Sequence, residues 1–150
     1  MIQDKLFILS DGQAETTQAA HDSDVQLDLG AGVNELGSAV AAELGEGGKL
    51  WLNVVVGTAF ATSSSATLAV ALQDSADDSS YAAASPTCST PATAAATLTA
   101  GKVIISTPLP TSLRRYVKLV YTIGTGTMTA GAIDAWIGHG PVDSRMGRGI

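Results

Sequence analysis

The sequence predicts an all-β sandwich or barrel, and three observations predict it. Several segments alternate apolar and polar residues with the period of two that places successive side chains on opposite faces of a strand. The stretches between them are built from Gly, Pro, Ser and Thr, and scarcely any segment has the spacing of an amphipathic helix. Short strands punctuated in this way indicate an all-β sandwich or barrel. A chain of 150 residues suits one domain, 1–150, with a core large enough to need no staples.

In chain order, residues 4–9 form a short apolar strand, read as an edge or as an N-terminal arm spanning 1–9. Asp11 to Asp24 is polar and rich in Ala and Thr, a loop. Asp24 to Leu29 alternates throughout, with Val25, Leu27 and Leu29 facing in and Asp24, Gln26 and Asp28 facing out. Gly30 and Gly32 stop it. From Asn34 to Leu44 the apolar residues Leu36, Val40 and Leu44 recur every four residues, which fits either a short helix limited by Gly37 and Gly45 or an irregular loop.

Lys49 to Phe60 is a strong strand, β-branched through its middle. Leu52, Val54 and Val56 share one face; Trp51, Asn53 and Val55 share the other. A turn at Ala61 to Ser65 leads into a strand ending at Gln73 that turns Leu68, Val70 and Leu72 inward, and the two read as a hairpin. Asp74 to Thr93 reads as a long surface loop, because Pro86 and Pro91 interrupt strand pairing. Ala94 to Ala100 is a short strand or a turn of helix. Lys102 to Ser106 is a strand closed by Pro108 and Pro110.

Arg114 to Gly138 carries the most regular alternation in the chain and reads as a second hairpin at the centre of the core. Val117, Leu119, Tyr121 and Ile123 line the inner face of its first strand; Ile133, Ala135 and Ile137 line that of its second. Arg115, Lys118, Asp134 and Trp136 fall on the opposite side, from which contact with a partner would come. Gly124 to Gly131 joins the strands. The tail, 140–150, has three glycines and a proline and little to bury, so it is read as an extended tail. The stretches LWLNVVVGTAF and RYVKLVYTIGTG echo one another; two Greek keys produce such an echo, and so does chance.

Composition narrows the function classes. The chain is 45% hydrophobic and only 15% charged, its remaining surface made of Ala, Thr, Ser and Gly. Such thin, weakly charged faces suit contact with another protein; a monomer with short surface side chains is the competing reading. A net charge of −6 argues against a nucleic-acid surface, which needs clustered Lys and Arg. Cys88 is alone, with no metal-ligand spacing around it, and reads as a passive thiol in a reducing compartment. The apolar patch Leu6 to Leu9 is far shorter than a secretory h-region, and no run approaches the ~20 residues of a membrane span. A soluble protein made in a cytoplasm is expected, with no membrane partner.

No catalytic set is visible. Neither His21 nor His139 lies near a second His, Cys or acidic cluster at ligand spacing, and no serine sits in Gly-x-Ser-x-Gly. The acidic run Asp74, Asp77, Asp78 invites a calcium reading but lacks the central Gly and closing Glu of an EF-hand loop. Gly124 and Gly126 lie between two strands, so they are turn residues and not a phosphate cradle. Trp51 and Trp136 face away from the aliphatic set, where they either cap the core or anchor an interface. No enzyme activity, cofactor or metal is expected.

The stretches LFILSDGQAETTQAAHDSDVQLDLG, LWLNVVVGTAF with ATLAVALQDS after it, and RRYVKLVYTIGTGTMTAGAIDAWIG resemble, in order and spacing, the capsid cement (decoration) proteins of tailed bacteriophages, of the small Bordetella-phage type. The resemblance implies a jelly-roll-like antiparallel β-sandwich with long loops and extended termini. It implies a structural virion protein, assembled in the host cytoplasm, that binds the outer surface of the capsid. There it would bridge neighbouring major capsid subunits and resist the pressure of packaged DNA. Its partners would be the major capsid protein and further copies of itself, as dimer or trimer, with no direct contact to nucleic acid. No contact residue is tied to a motif of that family. The interface candidates come from the residue pattern instead: Leu6 and Ile8 in the arm; Trp51; Arg115, Lys118, Asp134 and Trp136 on the outer side of the last two strands; Arg145 and Arg148 in the tail. The alternative is a carbohydrate-binding β-sandwich module, which would gather aromatic and Asp or Asn side chains in one groove; a small β-sandwich hydrolase or isomerase, with a polar cluster deep in a cavity, is the third possibility.

Overall fold

The computed structural model describes residues 7–33, 39–41, 50–85, 87–110 and 112–142. Their strands are β1 (Ile8–Ala14), β2 (Ala20–Asp22), β3 (Leu27–Asp28), β4 (Ala31–Val33), β5 (Ala39–Ala41), β6 (Trp51–Thr62), β7 (Thr67–Ser75), β8 (Ala82–Ala83), β9 (Thr93–Ala94), β10 (Val103–Pro108), β11 (Tyr116–Gly124) and β12 (Met128–Gly138). Ten of them build two packed antiparallel sheets, and β4 and β5 pair apart from these as a two-stranded ribbon. The smaller runs β1-β12-β6-β10; the larger runs β2-β11-β7-β8, with β3 on β11 and β9 on β7. The all-β sandwich is as the sequence predicts.

The two hairpins are not hairpins. β6 pairs with β12 and β7 with β11, so each expected hairpin is opened into an arch whose two strands lie in different sheets. The physical reason is the burial of both apolar faces. A hairpin lays two such faces side by side, whereas an arch turns them toward each other across the core. Leu52, Val54, Val56, Ile133, Ala135 and Ile137 from the smaller sheet accordingly meet Leu68, Val70, Leu72, Val117, Leu119, Tyr121 and Ile123 from the larger one. The two corners bind each other. The Thr62 hydroxyl donates to the Thr127 carbonyl at 2.8 Å, and the Thr125 hydroxyl donates to the Ser65 carbonyl at 2.9 Å.

Other elements refine the sequence reading. The expected arm begins β1 in its described part: Leu9 is fully buried, and residues 1–6 lie outside the described residues. The expected loop Asp11–Asp24 contains the rest of β1 and all of β2. Val25 does not face in; it is 43% exposed, because the strand here is only Leu27–Asp28 and the preceding backbone is held by a bond from Val25 N–H to the Leu9 carbonyl. β4 and β5 pair where a helix or loop was expected, and residues 34–38 and 42–49 lie outside the described residues. Ala95–Thr97 is a single 3-10 turn. The long loop after β7 runs back along that strand, through β8, an Ala71–Ser89 bridge and β9.

Each sheet edge is blunted, which guards against indiscriminate strand addition. β10 carries a bulge and ends in Pro108, and β1 has two register breaks and gives its Leu9 carbonyl to Val25. The larger sheet ends in β2 and β8, of three and two residues. Contact with a partner is thereby left chiefly to the faces.

Candidate interaction surface

Four of the sequence candidates meet on the outer face of the smaller sheet. Directly cross-strand there, Ile8 stands against Trp136, Trp136 against Asn53, and Asn53 against Ser106. The adjoining row is Gly138, Trp51 and Pro108. Both tryptophans and Ile8 are half-buried, so large apolar side chains stand at the surface of the sheet. Asp134 borders them. Its carboxylate accepts the Gly12 N–H at 2.7 Å and lies flat over Gly57, where a Cβ would stand 2.5 Å from Asp134 Oδ2. Gly57 is therefore what lets the carboxylate settle on β6.

The start of the tail folds back onto the same face. The Asn53 amide donates to the Gly140 carbonyl at 3.1 Å, and Val142 N–H donates to Asn53 Oδ1 at 3.2 Å and to Ser106 Oγ at 3.1 Å. Asn53 is fully buried as a result, although it points away from the core. Beside it the Trp136 indole N–H is enclosed and finds no acceptor among the described residues. A buried donor without an acceptor costs roughly 1–3 kcal/mol, so this one calls for a reason.

Arg115 and Lys118 do not join this surface. They lie with β11 on the larger sheet, so the single contact side expected of Arg115, Lys118, Asp134 and Trp136 is divided between two sheets, because β11 and β12 form an arch. Arg115 makes a bidentate pair with Asp28, both bonds 2.7 Å, and lies over the Tyr116 ring. The guanidinium, helped by the Gly30 N–H, pulls the Asp28 carboxyl down to about 2. Lys118 bonds Asp22 at 2.8 Å and sits 4.3 Å from the centre of the Tyr81 ring. Both cations are spent within the chain. Leu6, Arg145 and Arg148 lie outside the described residues.

A third polar feature was missed by sequence reasoning. Where the chain crosses from β1 to β2, an open cleft is lined by residues 12–17, His21 and Asp24. Glu15, only 1% exposed, lies at its floor; its Oε2 is 2.6 Å from His21 Nδ1 and its Oε1 accepts Gln13 Nε2 at 2.8 Å. Gln13 also donates to the Asp22 carbonyl and accepts Asp24 N–H and the Ser10 hydroxyl; Ser10 in turn meets the buried Tyr121 hydroxyl at 2.8 Å. This network ties the edge of one sheet to the edge of the other. The acidic run after β7 is likewise divided. Asp74 is buried against Arg114, Asp77 caps the N–H groups of Ser79 and Ser80, and Asp78 bonds Tyr81. Among the described residues no three His, Cys, Asp or Glu side chains are grouped to hold a metal ion.

Burial raises the Glu15 carboxyl above its ordinary range, with the His21 bond opposing. A raised folded-state value means the stabilising share of this group is fully present below the unfolded value, near pH 4.3, and is lost as pH rises through the folded one. Glu15→Gln should abolish that loss. Thermal melts from pH 4 to pH 8 should show the variant gaining on the wild type as pH rises; a constant gap would refute the assignment.

No curated protein matches the chain. The sequence pattern of one family, Bbp16, matches residues 9–137, from the buried Leu9 of β1 to the buried Ile137 of β12. The match covers both arches and the face that carries Trp51, Asp134 and Trp136, and it agrees with the resemblance drawn from the strand and turn stretches. The chain therefore belongs to the Bbp16 family and is a bacteriophage structural protein of the capsid-decorating kind.

Proposed function

We propose that the protein binds the outside of the phage capsid through the outer face of its smaller sheet, bridges neighbouring major capsid subunits, and works without catalysis. The observation that carries this reading is the gathering of Ile8, Trp51 and Trp136 beside Asp134 on one sheet face. Half-exposed tryptophans at the centre of a patch are the side chains that most often dominate a protein interface. The blunted edges support contact by faces over strand addition. Copies repeated over a symmetric shell add weak contacts into strong retention. Purified protein added to shells that lack it should cosediment to a fixed stoichiometry, and the decorated shells should hold their DNA to a higher temperature. Trp51→Ala, with its β circular-dichroism spectrum intact, should bind at least tenfold more weakly, since a hot-spot truncation costs roughly 2 kcal/mol or more. Shells that take up no wild-type protein would overturn the proposal.

A further inference from the structure

The enclosed indole N–H of Trp136 points to how this face works, on the premise that the face is the capsid-binding one. Two polar demands remain open there. Trp136 Nε1 has a proton to give and, among the described residues, no acceptor. Asp134 carries the charge of the patch and pairs with no cation among the described residues; its bond to Gly12 N–H engages only Oδ1. The described cations that β11 could offer are taken by Asp74, Asp28 and Asp22. The two demands lie two residues apart on β12, and side chains at that spacing share one face of the sheet.

Between this face and a partner lies the segment Gly140–Val142. It is held to Asn53 and Ser106 by three bonds of 3.1–3.2 Å, at the long end of the hydrogen-bond range. Gly140 has φ +130°, a conformation open to glycine and rare for other residues, and nothing lies within 4 Å of where its Cβ would be. The segment is a strap on a glycine hinge, resting on the neighbour of an unsatisfied donor.

We infer that the capsid displaces this strap. An extended segment of the capsid protein takes its place, giving a main-chain carbonyl to Trp136 Nε1 and a basic side chain to Asp134. The charge of the occupant follows from the carboxylate it meets; its carbonyl follows from the donor left open. In the free protein the strap holds Asn53 and Ser106, the row that continues from Trp136 across this face. On the shell the same face acquires the acceptor it lacks.

The test compares Trp136→Phe and Asp134→Asn with the wild type, using purified protein and undecorated shells. Phenylalanine keeps an aromatic side chain and removes the donor together with the five-membered ring that bears it. Relief of the unsatisfied donor offsets the packing lost with that ring, so its melting temperature should stay close to that of the wild type, while its affinity for shells falls on the order of tenfold. Asparagine still accepts the Gly12 N–H, and should bind more weakly with less dependence on salt. Hydrogen exchange at residues 138–142 should be faster on the shell than in free protein. Wild-type binding with Trp136→Phe undiminished, or a strap equally protected on the shell, overturns the inference and leaves the capsid reading standing. Wild-type protein that fails to bind shells overturns both. Loss of strap protection in free protein through self-association would assign the face to a second copy, and overturns the capsid segment as its occupant.

Discussion

Gly131→Ala is expected to lower the unfolding free energy by about 4 kcal/mol. Gly131 lies in β12 with φ +146°, where a side chain is strained whatever the space. Here there is no space either. A Cβ would stand 2.2 Å from Cδ1 of Phe60, whose ring is buried on β6. The ring cannot retreat, because it is packed into the core cluster between the sheets. Overpacking a core costs roughly 1–3 kcal/mol and a strained backbone another 1–3 kcal/mol. The cost should be read by urea denaturation, with an unchanged m-value. Phe60→Leu in the same chain should recover part of it by vacating the ring edge; no recovery would mean that backbone strain is the whole cost.

Asp74→Ala should cost about 3 kcal/mol. Asp74 is 4% exposed at the end of β7. Its Oδ1 accepts Arg114 Nε at 3.0 Å and Nη2 at 2.7 Å, its Oδ2 accepts the Arg114 N–H at 2.9 Å, and its carbonyl accepts Nη2 at 2.7 Å. Breaking a buried pair from one side costs roughly 3–5 kcal/mol, and the partial exposure of Arg114 places this case at the low end. The double variant Asp74→Ala with Arg114→Ala should be less damaged than the sum of the single variants by at least about 1 kcal/mol, measured by the same denaturation. Additive losses would show that the pair is not coupled.

The pair also shows where a sequence stops being legible. Asp74 and Arg114 are 40 residues apart, and the run around Asp74 reads as a solvated acidic loop until the arch brings Arg114 over it. Inward and outward sides were readable because a strand's period of two dictates them: Leu52, Leu68, Leu119 and Ile133 were all expected inside and are buried. Strand partners were not readable, because the same alternation serves a hairpin and an arch. Val25 was misplaced for a related reason, since alternation was extended past the end of a strand only two residues long. The candidate face was legible in part. Trp51, Asp134 and Trp136 announce themselves by pointing away from an aliphatic row. Asn53 lies in the same pattern, yet its importance depends on a strap whose return no local spacing encodes. Glu15 stood in an unremarkable polar stretch, and only its distance to His21 gives it meaning.

The paired arches also govern when the protein comes into being. The central ladders join Leu52 to Ile137 and Leu68 to Ile123, so residues made early wait for residues made late. Neither arch has a ladder of its own, and closing such long intervals of chain costs entropy before any contact repays it. During synthesis, β6 has only β10 to pair with, and β7 only the short β8 and β9, until Tyr116–Gly138 has been made. The tryptophan face is therefore completed only when β12 docks between β1 and β6. A chain broken off before β12 lacks Trp136 and Asp134 and presents no finished face.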